Sequence, residues 1–285
     1  MKLYLREDIK SVWQGKDPFQ EVLKLKGEVF REVKERTTLR FELNGKSYFL
    51  KLHRGIGWAE IFKNWLNLNQ PILGAEQEYQ AILKLQQLNI ETMSVAAFGE
   101  TGANPAKKLS FIITDDLVGT ENLEDYCRNW PQQPPNPGFK RQLIRRIASM
   151  SKTLHENGLN HRDYYICHFH LHLPSLPASG PVADEAIHLH LIDLHRMQQR
   201  QNMPVRWAVK DIGGLYFSAM EIGLTKRDIL RFMRVYKGQS LRETLVEAKA
   251  FWQAVDQRAQ QLYAKGLRKG IVGLGAEDEG AERDA

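Results

Sequence analysis

Two periodicities divide the chain. From Thr37 to Leu43, apolar and polar side chains alternate at period two, the pattern of a half-buried strand. Asn44-Gly45 follows, and both residues tolerate positive φ, so a tight type I′ hairpin is expected. The return strand, Lys46 to His53, puts Tyr48, Leu50 and Leu52 on one face and Ser47, Phe49, Lys51 and His53 on the other. Further strands are expected over Met93–Phe98 and Phe111–Thr114, with Gly102 and Pro105 in the loop between. Helical spacing of three and four predicts a helix over 57–69, carrying Trp58, Ile61, Phe62, Trp65 and Leu66 on one face. A second is predicted over 74–88, with Tyr79, Ile82, Leu83 and Leu85 inward and Glu76 and Glu78 in its first turns. Residues 1–25 show neither period and read as a loosely structured lead-in.

After about residue 117 the helical period takes over. A short helix is expected over 122–130, then a proline-rich stretch, 131–138, that does not read as helix. A helix over 139–157 repeats Leu143, Ile147, Met150 and Leu154 and stops at Gly158. A strand-like run follows Asn160–Phe169, and a second apolar strand ends at Ile192-Asp193. Helices are predicted over 207–222, over 225–236 behind a capping sequence Thr225–Asp228, and over 240–268. The tail 271–285 reads as disordered. The organisation expected is an α+β chain of two lobes, a β-rich lobe over 1–117 and an α-rich lobe over 118–270.

Composition narrows the class. Hydrophobic residues at 42% and charged residues at 26% suit a soluble globular protein. No apolar run reaches the roughly 18 residues of a membrane span, and the first residues lack an apolar signal core. Two cysteines, Cys127 and Cys167, make no disulfide framework, so a cytoplasmic protein with reduced thiols is expected. The net charge is +6, but the tail holds five acids against one base, which leaves about +10 on the rest. Residues 196–242 carry ten bases against three acids. Such a body suits an anionic partner: phosphates, nucleic acid, an acidic membrane face or an acidic protein.

The candidate chemistry sits in the middle of the α-rich part. Eight of nine histidines lie between 155 and 195. His168, His170 and His172 alternate, as do His188 and His190, and such rows suit either a polar strand face or a metal hydrolase site. Phosphoryl transfer accounts for more of the chain. It needs a carboxylate for the acceptor hydroxyl, a second one for Mg²⁺, and a lysine on the nucleotide phosphates set by a helix glutamate. The order Lys51, Glu78, connector 115–117, His161-Arg162-Asp163, two strands and Asp193 follows a protein-kinase-like fold.

These segments carry a resemblance. Gly27–Glu32, Lys46–Lys51, Phe111–Leu117, Asn160–Asp163 through Phe169, Ile192–Arg196 and Gly214–Ser218 are similar to the lipopolysaccharide core heptose(I) kinases of Gram-negative bacteria, over roughly 10–265. The resemblance implies transfer of phosphate from ATP to the 4-hydroxyl of the first inner-core heptose. It implies Asp163 as base beside His161 and Arg162, and Asp193 as Mg²⁺ ligand. Lys51 would meet the nucleotide phosphates, with Glu78 as its partner and Glu76 as fallback, and Asp115–Leu117 would meet adenine through the backbone. His168 stands where kinases place asparagine, so it is expected as a replacement metal ligand or phosphate donor. The glycine-rich phosphate loop is absent apart from Gly27. Expected partners are the lipid-linked acceptor, the cytoplasmic face of the inner membrane and acyl carrier protein, the last through the 57–69 helix or the apolar core. No nucleic acid is expected, because no single segment shows a basic groove with aromatics. Open alternatives are another acceptor on the same fold, the histidine-cluster hydrolase, and a basic nucleic-acid-binding module.

Overall fold

The alternating run around Asn44-Gly45 forms the hairpin within a six-stranded antiparallel sheet. The computed structural model describes residues 1–33, 36–55, 74–102, 104, 108–178 and 180–270. They fall into two compact units, one of residues 1–84 with 93–118, the other of 85–92 with the chain from 119 onward. The helix expected over 57–69 and the tail 271–285 lie outside the described residues. Among the described residues no helix is long and apolar enough to cross a membrane.

In the first unit the chain runs β1 (Lys2–Leu5), α1 (Glu7–Val12), α2 (Pro18–Lys24), β2 (Glu28–Val33), β3 (Arg36–Leu43), β4 (Lys46–Arg54), α3 (Glu76–Gln87), β5 (Val95–Thr101) and β6 (Leu109–Asp115). The strands lie in the order β1-β5-β6-β4-β3-β2. Asn44 and Gly45 have φ of 50° and 74°, the primed-turn geometry that the dipeptide favours. Tyr48, Leu50 and Leu52 are buried, as their spacing predicts.

What covers that face differs from expectation. The lead-in is ordered: Ile9, Trp13, Phe19 and Val22 from the α1–α2 segment join the core against Phe111, Ile113 and the β4 residues. Helices of six and seven residues are too short to display a period and cannot stand alone. Burial of these four side chains, about 1.5–3 kcal/mol each, holds them instead. Polar contacts add direction. Arg6 forks onto Asp115 at 2.7 and 2.5 Å and onto Asp8, and the Tyr48 hydroxyl donates to Asp8 at 3.0 Å. The guanidinium holds the Asp8 carboxyl down to about 2. α3 buries Ile82 and Leu85, and Tyr79 stacks on Phe98 with ring centroids 4.3 Å apart.

The second unit contains β7 (Thr120–Asn122), α4 (Leu123–Tyr126), α5 (Pro137–Glu156), β8 (Leu159–Asn160), β9 (Phe169–His172), β10 (Leu189–Leu191), β11 (Gln198–Gln199), α6 (Val205–Ser218), α7 (Lys226–Lys237), α8 (Leu241–Val246) and α9 (Lys249–Arg268). Its strands form a β10-β9-β7 sheet and a β11–β8 pair. α5 starts inside the proline-rich stretch, because Asn136 caps it through the N–H groups of Gly138 and Phe139, and Pro137 fits a first turn that needs no donor. The single helix expected over 240–268 is two helices, with the break at Glu247–Ala248. No glycine or proline marks that break. The capping box at Thr225 and Asp228 forms as read.

Gly158 ends α5 and begins the segment that matters most. Its φ is +75°, and a Cβ there would lie 1.9 Å from the carbonyl oxygen of Arg200. Arg200 in turn donates its N–H to the Gly158 carbonyl at 2.9 Å. Gly158→Ala is therefore expected to destabilise the chain by roughly 1–3 kcal/mol through positive φ and backbone clash. Urea unfolding followed by tryptophan fluorescence measures this, and an unchanged midpoint would contradict the packing described.

Candidate active site

The site of the second unit is built on a buried carboxylate. Asp211 of α6 is 1% exposed. Its Oδ2 accepts the N–H of His161 at 2.7 Å and its Oδ1 accepts the N–H of Arg162 at 2.9 Å. His155 Nε2 lies 3.4 Å from Oδ2, and His155 Nδ1 meets the Tyr236 hydroxyl at 2.7 Å. Arg162 has φ of +76°, which for such a side chain costs about 1–3 kcal/mol. Charge-assisted bonds to both neighbouring amides offset that strain.

His161 is fully buried. Burial pushes its pKa down, so the ring is neutral. Its Nε2 donates to the Ile192 carbonyl at 2.9 Å, so it ties the Asp163 loop to the strand that delivers Asp193. The Ile192 N–H returns to the His168 carbonyl at 3.0 Å. The two carboxylates expected from the sequence therefore stand on backbones joined twice.

Around them the distances are short. Asp163 Oδ1 pairs with Arg196 Nη1 at 2.9 Å. Asp193 Oδ1 meets His195 Nδ1 at 2.6 Å. Asp193 lies in the left-handed region (φ 57°, ψ 55°), which aspartate tolerates better than most residues. His168 Nδ1 is 2.7 Å from the Asp163 carbonyl oxygen. A carbonyl only accepts, so Nδ1 carries the hydrogen, and in the neutral ring Nε2 presents its lone pair. That nitrogen is 3.7 Å from Asp193 Oδ2. Two electron-pair donors facing each other repel unless a proton or a cation stands between them. The carboxylate suits Mg²⁺ well and the imidazole less so. The pair therefore fits a divalent cation held chiefly by Asp193.

His168 is not in line with His170 and His172, contrary to the alternation. It ends a 3-10 turn, Ile166–His168, ahead of β9, and the turn rotates its ring toward Asp163. His170 sits opposite His190 and beside the Thr120 hydroxyl at 3.2 Å, and burial first, then His168 and His190, push it down to about 4. His188 meets Glu91 at 2.5 Å. Among the described residues no three His, Cys, Asp or Glu side chains converge on a metal position. The hydrolase alternative thus has no ligand set there.

The first unit holds its own candidate residues. Lys51 Nζ is 2.8 Å from Glu78 Oε1, and Glu78 is 2% exposed. Glu76, the fallback, pairs instead with Lys2 at the surface. The Asp115 carboxylate is taken by Arg6, and its N–H by the Ser94 carbonyl at 2.9 Å. The Asp116 N–H reaches Ser47 at 3.2 Å.

Sequence reasoning missed Asp211, Arg196 and His195 as site residues. A charge within the apolar face of α6 was the available signal for Asp211. The second unit also contains a partly open apolar pocket of about 230 Å³, lined by Leu123, Leu143, Ile147, Leu215 and Met233 among others.

The chain is similar to known proteins over most of its length. Residues 20–236 match the lipopolysaccharide kinase (Kdo/WaaP) family. The chain is 49% identical over 267 residues to the lipopolysaccharide core heptose(I) kinase WaaP of Escherichia coli, covering 94% of this chain and 99% of that one. It is 46% identical over 270 residues to the kinase of the same description from Pseudomonas aeruginosa, covering 95% and 99%. A solved structure of WaaP in complex with acyl carrier protein superposes with a TM-score of 0.78 at 42% identity, over 92% of this chain and 100% of that one.

Asp211→Ala leaves the amides of His161 and Arg162 without acceptors. A loss of about 2–5 kcal/mol is expected from the unsatisfied buried donors. Faster hydrogen exchange at those two amides is the specific sign, and retained protection would refute the anchoring role.

Proposed function

The chain belongs to the lipopolysaccharide kinase (Kdo/WaaP) family, and we propose that it transfers the γ-phosphate of ATP to the 4-hydroxyl of the first heptose of the lipopolysaccharide inner core. The observation that carries this reading is the joined set Asp163, His168, Asp193 and Arg196, held in place by Asp211.

The proposed chemistry follows from the residues. Asp163 accepts the proton of the heptose hydroxyl as the new O–P bond forms and the bond to ADP breaks. Arg196 fixes one Asp163 oxygen at 2.9 Å and leaves the other for the acceptor. Asp193, with His168 as second donor, would hold Mg²⁺, which supplies positive charge to the phosphate oxygens when bound. Lys51, oriented by the buried Glu78, neutralises the nucleotide phosphates. Asp115 and Leu117 meet adenine through their backbone. His161 and Arg162 act as positioning residues, through Ile192 and Asp211 respectively.

The lipid-linked acceptor sets the place of work at the cytoplasmic face of the inner membrane. The solved relative was captured with acyl carrier protein. The same partner is proposed here, with the 230 Å³ apolar pocket of the second unit taking the acyl chain, since an apolar lining favours an apolar occupant.

Lipopolysaccharide from a strain lacking this activity, incubated with labelled ATP, is the test. Wild-type protein is expected to label the first heptose. Asp163→Ala is expected to lower the rate at least about 10²-fold, in keeping with general-base contributions, with the melting temperature nearly intact. Lys51→Ala is expected to weaken or abolish turnover. Full activity of Asp163→Ala would overturn the base assignment.

A further inference from the structure

Trp207, near the start of α6, stands among four cations. Lys210 Nζ lies 4.4 Å from the ring centroid, Arg200 Cζ 4.9 Å, Arg206 Cζ 5.6 Å and Arg162 Cζ 5.9 Å. One indole attracts cations weakly and does nothing to cancel their mutual repulsion. Asp163 and Asp211 act on Arg162, and Asp211 on Lys210, only as through-space charges. Among the described residues, Arg162, Arg206 and Lys210 have no carboxylate within ion-pair distance, and Arg200 is held by the neutral side chains of Asn160 and Gln198. The nearby acids are committed elsewhere: Asp163 to Arg196, and Asp211 to the amides of His161 and Arg162. Burial and the crowding by Arg258, Arg162 and Arg206 push the Lys210 pKa down, which is the mark of a like-charge cluster.

The cluster is adjacent to the chemistry, since Arg162 precedes Asp163 and lies within the field of Arg196. Guanidinium forks match the two oxygens of a carboxylate or phosphate, and the partly buried indole beneath them holds the cations together.

We infer that Trp207 with Arg162, Arg200, Arg206 and Lys210 forms an acceptor subsite that binds oxyanions, carboxylate or phosphate, carried by the saccharide beside the hydroxyl delivered to Asp163. This rests on the kinase reading above. It adds specificity: the enzyme selects an acidic oligosaccharide over a neutral one bearing the same heptose.

The probe is deacylated, heptose-bearing core oligosaccharide, used as such and after its carboxylates are reduced and its phosphates removed. Arg206→Gln/Lys210→Gln changes only exposed side chains, and Trp207→Leu is the companion. With the acidic oligosaccharide, the double variant is expected to raise the acceptor KM about tenfold or more, with the KM for ATP unchanged. With the neutralised oligosaccharide, wild type and variant are expected to show the same high KM. Equal losses on both acceptors, or no change on the acidic one, would overturn the subsite. Calorimetric titration of the acidic oligosaccharide separates this from the function itself. A binding difference between wild type and variant without any wild-type turnover supports the subsite and sinks the kinase reading. Turnover without a binding difference does the reverse. Two competitors complete the test: a short RNA, and vesicles of phosphatidylglycerol. If either binds through these residues while oligosaccharide affinity is unaffected by the substitutions, the assignment to the acceptor falls.

Discussion

A carboxylate sealed inside the second unit, that of Asp211, governs the geometry of everything that could do chemistry there. Removing a charge from water is expensive unless hydrogen bonds replace its hydration. Here the replacement consists of two consecutive amides, and accepting both forces the backbone between them into the conformation recorded at Arg162. The direction of Asp163 is a consequence of that constraint. His161 extends it, because a buried neutral ring with one hydrogen to give spends it on the Ile192 carbonyl and so fixes the approach to Asp193. The site is thus a chain of backbone commitments, and the side chains that face a substrate are its last links.

Much of this was legible in the sequence, for specific reasons. The resemblance to the heptose(I) kinases implied Glu78 as the partner of Lys51, and the two side chains meet at 2.8 Å. The hairpin at Asn44-Gly45 and the cap at Thr225 use residues whose conformational preferences are local. What escaped was non-local or too short. The α1–α2 segment is stabilised by burial against β4 and β6, which no window of its own residues reveals. The break between α8 and α9 carries no helix-breaking residue. The turn that rotates His168 is three residues long, and a period-two reading runs straight through it. The cations around Trp207 come from positions 162, 200, 206 and 210, so their convergence exists only in the folded unit.

His168 shows how one substitution of type can be absorbed. An amide at this position would offer a hard oxygen to a cation. The imidazole offers nitrogen, but it also anchors its Nδ1 on the Asp163 carbonyl, which leaves Nε2 toward Asp193. Its orientation is therefore set by the loop that carries Asp163, and the two carboxylates are linked through its ring as well as through the backbone. The remaining histidines are dispersed into cross-strand and carboxylate contacts, which accounts for their number without a second centre.

The placement of β1 has a consequence for how the chain is made. β1 pairs with β5, so it is made about ninety residues before its neighbour. At roughly 5–20 residues per second, that is several seconds of translation. During that interval Ile9 and Trp13, which end in the core against Phe111 and Ile113, have no sheet to cover them. The nascent chain carries this apolar segment uncovered until β5 and β6 have been synthesised. Burial of Ile9 and Trp13 is complete only when the edge strand β1 docks on β5.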